Sequence, residues 1–177
     1  MAKPVQPIPD DEQLRRNRLV FYEEDVAELD ACLELFLERS KANCALLIDI
    51  DGHLVTKKGF TQRLDTTSIA ALVAGSFAST RALAKNLGEK EFSVIFHQGE
   101  SESIHIGLVG DRCLIVIIFD DRTTIGMVRL YAKEVSESLG KVMEKINAKG
   151  KSRPNPVTET GFQKEAEAKI DEFFNES

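Results

Sequence analysis

The run FSVIFHQGESESIHIGLVGDRCLIVIIF, residues 92–119, decides the architecture. Phe92, Val94 and Phe96 alternate with Ser93, Ile95 and His97; Ile104, Ile106 and Leu108 alternate with His105; Cys113 to Phe119 is apolar throughout. Period-two alternation marks strands with unlike faces, and a continuous apolar run marks a strand covered on both. The turn pairs Gly99-Glu100 and Gly110-Asp111 leave too few residues for a crossover, so the three strands pair antiparallel in succession. The apolar third strand is predicted at the sheet centre. Phe92 to His97, flanked by charge, is the candidate edge.

Upstream, Val26, Leu29, Leu33, Phe36 and Leu37 recur at steps of three and four, which predicts an amphipathic helix from Glu23 to Lys41. Ala45 to Ile50 reads as a short strand, Asp51-Gly52 as a hairpin turn, and His53 to Lys57 as the returning strand. Asp65 can cap a long helix that runs to about Leu87 and stops at Gly88. Downstream, Met127, Leu130, Val135, Leu139, Val142 and Ile146 predict a last helix from Thr123 to Asn147. The order helix, two strands, helix, three strands, helix fits an α+β design, a five-stranded antiparallel sheet with helices on both faces. Residues 1–20, with Pro4, Pro7 and Pro9, read as a mobile arm, 21–147 as the domain, and 148–161 as a linker. The chain then ends in a short acidic helix candidate within 162–177.

The middle helix, TTSIAALVAGSFASTRALAKNL, carries two faces. Ile69, Leu72, Val73, Phe77, Leu83 and Leu87 cluster on one arc, predicted to cover the sheet. The opposite arc holds Ala71, Ala74, Gly75, Ala78 and Ala82, with Arg81 and Lys85 along one flank. Alanine is a strong helix former, so such a face also suits a helix simply exposed or covered by a loop. Gly75 counts against that, because a mid-helix glycine costs about 1 kcal/mol relative to alanine and is better explained by a need for room. The face is therefore read as a protein-contact surface. An unpaired edge at Phe92, Val94, Phe96 and His97 would invite aggregation, so the same logic pairs it with its copy, giving one continuous sheet and two middle helices side by side.

In the tail, Phe162, Ala166, Ile170 and Phe173 or Phe174 fall at helical steps, with Glu165, Glu167, Asp171 and Glu172 opposite or flanking. Such a segment either folds back on its own domain or docks in a partner's groove, and the linker favours the second.

Composition excludes several functions. A net charge of −6 provides no basic field for nucleic acid or anionic lipid. Cys32, Cys44 and Cys113 stand apart in apolar contexts, neither a disulfide framework nor a zinc site, and read as thiols of a reducing, cytoplasmic compartment. No run is long enough for a membrane span, no GxxxxGK[ST] loop binds nucleotide, and no cofactor or metal site is expected. An EF-hand at Asp49 fails because its twelfth position is Phe60. His53, His97 and His105 are scattered along the strands. One enzymatic pattern survives: LLIDIDG and IVIIFDD match the acidic motifs of haloacid-dehalogenase-like phosphatases, with Asp49 as nucleophile, Asp51 as acid, and Asp120 and Asp121 holding Mg²⁺. That chemistry needs a parallel sheet, which the consecutive strands deny.

The segments FYEEDVAEL (21–29), LLIDIDGHLV (46–55) and residues 65–130 resemble the roadblock family of the dynein light chain superfamily, in its MglB branch. The likeness spans Phe21 to Ile146 and resumes at Ile170, Asp171 and Phe174. It implies an antiparallel dimer through Phe92 to His97 and a platform of paired middle helices. The partner it implies is a Ras-like GTPase of the MglA type, bound by two copies of the chain, whose hydrolysis is accelerated without a supplied catalytic residue. It implies further that the C-terminal helix, with Ile170, Asp171, Phe173 and Phe174, grips the GTPase and promotes exchange, in control of polarity and gliding motility at a cell pole. A roadblock scaffold that leaves turnover unchanged is the alternative.

Overall fold

The computed structural model describes residues 21–152, so the arm 1–20, the tail 162–177 and all of the linker beyond 152 lie outside the described residues. The elements follow the predicted order: α1 (Glu23–Ser40), β1 (Cys44–Asp49), β2 (Leu54–Gly59), α2 (Thr66–Asn86), β3 (Val94–Gln98), β4 (Ser103–Val109), β5 (Cys113–Phe119) and α3 (Ile125–Ser152).

Local chemistry sets the boundaries. Asp25 accepts the Tyr22 backbone N–H at 3.3 Å to open α1, and left-handed Lys41 closes it, donating its N–H to the Leu37 carbonyl at 3.0 Å. Asp65 accepts from the Ser68 backbone at 3.1 Å and from its hydroxyl at 2.6 Å, the predicted cap of α2. Thr124 Oγ1 accepts from Met127 N–H at 3.3 Å at the start of α3. That helix runs to Ser152, five residues into the stretch read as linker. Lysine and alanine carry it onward, and the first residue that bars helix is Pro154.

The sheet order is β2-β1-β5-β4-β3, antiparallel at every step. All seven residues of β5 are buried at the centre, and β3 is an edge, both as predicted. The edge strand begins at Val94 rather than Phe92, although the Ser93 carbonyl still accepts from Leu108 N–H at 2.9 Å. Two cores result. Leu29, Leu33 and Phe36 of α1 join Val128, Ala132, Val135 and Leu139 of α3 over Ala45, Leu47, Ile115 and Ile117. Ala70, Val73 and Phe77 of α2 cover Leu46, Ile48, Leu114, Val116 and Ile106 on the other face.

One helix face departs from expectation. Val73 and Phe77 are buried and Ile69 packs at the margin, but Leu72, Leu83 and Leu87 stand 72%, 53% and 66% exposed. Ala70, Ala74 and Ala84 turn inward instead. Small residues on the inner line let α2 lie close to the sheet with Phe77 filling the gap, a solution that a size-weighted reading of the helix does not find.

Candidate functional site

The outer face of α2 is the surface on which the sequence reading converges. Ala71, Gly75, Ala78 and Ala82 form an exposed stripe along it, as expected. Ala74 departs from the set: it is 6% exposed, turned toward Gly52 in the β1–β2 turn. Ala74 still floors a shallow groove of about 460 Å³ beside the stripe, lined also by Phe77, Ala78 and Ala82, with Arg81 and Lys85 along its border. A Cβ added to Gly75 would meet nothing within 4 Å, so no neighbour inside this chain requires glycine there. The three exposed leucines extend the stripe into a broader apolar face. Sequence reasoning placed them inward and so missed them; their position on the arc bordering the stripe is the only signal that could have found them.

The stripe itself carries no charge, and the exposed Lys85 stands at its border. Arg81 leans away to pair with Glu91 at 3.6 Å, and Ser79 and Thr80 return their hydroxyls to the Gly75 and Ser76 carbonyls at 3.0 and 2.9 Å.

The two sheet edges differ in the same sense. On β2, Lys58 holds Asp30 and Glu34 of α1 at 2.8 and 2.9 Å, and Lys57 donates to Thr66 at 3.0 Å, a charged and tethered edge. On β3, Val94 is 44% exposed, His97 is exposed, and Phe96 is half-buried against Phe119 with ring centroids 6.2 Å apart. Phe92 is half-buried just before the strand. No charged side chain lies within β3 to discourage another strand. The tail residues Ile170, Asp171, Phe173 and Phe174 lie outside the described residues.

The rival acidic motifs do not assemble. Asp49 pairs with Cys113 and Cys44 with Ile118, so β1 and β5 run antiparallel and place Asp49 and Asp120 at opposite ends of the sheet, roughly 24 Å apart by strand rise. Each carboxylate is occupied locally. Asp49 accepts from Asp51 and His53 backbone N–H at 3.0 and 2.8 Å and meets His53 Nδ1 at 2.9 Å. Asp120 accepts from Arg122, whose hydrogen bonds hold its carboxyl down at about 2, and from Asn43. Burial pushes the Cys44 and Cys113 thiols up to about 11 and about 12, which leaves negligible thiolate at neutral pH. Among the described residues no cluster of His, Cys, Asp or Glu is placed to hold a metal ion, and no helix is long and apolar enough to cross a membrane.

Comparison with known proteins gives a consistent picture. The profile of the Roadblock/LC7 domain matches residues 28–119. Myxococcus xanthus MglB is similar over 72% of this chain and 96% of its own, at 41% identity and a TM-score of 0.68. The gliding protein MglB of Thermus thermophilus covers the same shares at 35% identity and a TM-score of 0.68. An MglB described in a tetrameric arrangement does so at 34% and 0.69. Among curated proteins, nothing matches.

Proposed function

The chain belongs to the Roadblock/LC7 family, and from that premise we propose that it is a non-catalytic regulator of a small Ras-like GTPase of the MglA type, acting as a homodimer. The observation that carries the reading is the α2 face: an uncharged stripe of small residues with open space above Gly75, bordered by Leu72, Leu83 and Leu87. Burying a leucine is worth about 2 kcal/mol, and the single chain leaves all three of these outside. A contiguous apolar surface of this kind serves contact with another protein. Pairing at the β3 edge would set two such helices side by side as one platform.

Such a platform supplies shape rather than chemistry. The cation nearest its centre, Arg81, is engaged with Glu91, so the surface is poorly suited to inserting a guanidinium into a phosphate site. Activation then works by binding energy spent on the GTPase conformation whose own residues are aligned for hydrolysis, a shift of population. In this scheme Ile170, Asp171, Phe173 and Phe174 provide a second grip that favours nucleotide release. The setting is cytoplasmic control of polarity and gliding motility at a cell pole.

Single-turnover GTP hydrolysis by an MglA-type GTPase, with and without this protein, tests the reading. Acceleration is expected, and Ala78→Arg should abolish it with the dimer intact, because a long cation on the stripe brings both a clash and a desolvated charge. Binding without any change in turnover would make the protein a scaffold. Full binding by the Ala78→Arg variant would move the platform elsewhere.

A further inference from the structure

On the sheet face opposite α2, a groove of about 540 Å³ opens between α3 and the β3–β4 hairpin, a size suited to a small organic molecule. Its floor is apolar, with Val94 and Ala132. Position 107 adds depth: a Cβ on Gly107 would stand 3.6 Å from His105 Nε2 and 3.3 Å from the Ile115 Cγ2, so the glycine leaves that edge of the imidazole open.

His105 forms one wall, is 3% exposed, and has an Nδ1 with no hydrogen-bond partner among the described residues. A buried nitrogen without a partner is uncommon, and this imidazole stands in the wall of an open groove. At the rim, Arg129 and Lys133 lie one helical turn apart on α3, both exposed. Neither holds a carboxylate among the described residues, in a chain with six more acids than bases. Glu137, a turn further on, lines the far end and disfavours an occupant with a second negative charge.

We propose that this groove is a binding site for a small monocarboxylate with an apolar body. Arg129 and Lys133 hold the carboxylate at the rim, the hydrocarbon lies on Val94 and Ala132, and the His105 imidazole closes the inner end. The site lies on the sheet face away from the α2 platform, and Val94 belongs both to it and to the proposed dimer edge.

The full chain, titrated with sodium hexanoate, supplies the test, read by the NMR resonances of the His105 ring, assigned through His105→Phe, and by the thermal midpoint. A saturable shift at His105 with a raised midpoint is expected, with no such response to hexanamide and a weaker one to inorganic phosphate. Arg129→Gln and Lys133→Gln should each weaken hexanoate binding by about tenfold or more while leaving the ligand-free midpoint unchanged. A His105 ring that ignores hexanoate overturns the site, as does an equal response to the amide, an equal response to phosphate, or full affinity in both variants.

Discussion

Gly52 presses on Ala71: a Cβ at Gly52 would stand 3.0 Å from the Ala71 Cα, and the Gly52 backbone sits at φ +94°. The β1–β2 turn therefore seats the first half of α2, and glycine meets both a conformational and a spatial demand there. Gly52→Ala should cost on the order of 1–3 kcal/mol, read as a lowered urea midpoint at unchanged slope. An unchanged midpoint would mean that the turn does not seat the helix.

Gly75 is the opposite case. It lies mid-helix with open space above it, so Gly75→Ala should stabilise the isolated fold by about 0.5–1 kcal/mol through helix propensity alone. The same methyl group intrudes on the proposed platform, so stimulation of the GTPase should fall severalfold in the more stable protein. Stability and activity moving up together would argue against close approach at this point.

The contrast between these glycines shows what the sequence could and could not disclose. Strand β5, apolar at all seven positions, admitted only a central place, and Asp65 with Gly88 marked the ends of α2 by local hydrogen-bond and backbone chemistry. The stripe of Ala71, Gly75, Ala78 and Ala82 was legible because residue size survives any rotation of the helix. The rotation itself was not, since whether Leu72 or Ala74 faces inward depends on how closely α2 approaches the sheet, a tertiary quantity set in part by the Gly52 turn. The groove beside His105 was hidden for the same reason: it needs β4 and α3, Gly107 and Arg129, brought together from separate stretches of chain.

The β3 edge makes a third prediction. Lysines guard β2, and a lysine at the corresponding place on β3 should guard that edge too. Val94→Lys alters an exposed position, so the circular dichroism spectrum should match the parent while sedimentation shows a single copy instead of the proposed dimer. Persistence of the dimer would place self-association on another surface.

His105 should make the fold sensitive to mild acid. Burial, reinforced by the nearby Arg129 charge, lowers its pKa from 6.5 to about 4. Between these values the unfolded chain binds a proton that the folded chain refuses, so the contribution is complete above pH 6.5 and is lost progressively as pH falls toward 4. The loss amounts to about 3 kcal/mol across that window. Carboxylates titrate at its lower end in any variant, so the decisive quantity is the difference in unfolding free energy between the parent and His105→Phe, measured from about pH 7 to about pH 4. That difference should change by the stated amount, with most of the change between about pH 6.5 and 5, above the ordinary carboxylate range. Should the phenylalanine overpack β4, a direct NMR titration of the imidazole in the parent protein decides the matter: a midpoint near the ordinary value of about 6.5 would mean that the ring is hydrated and the buried description of this wall is wrong.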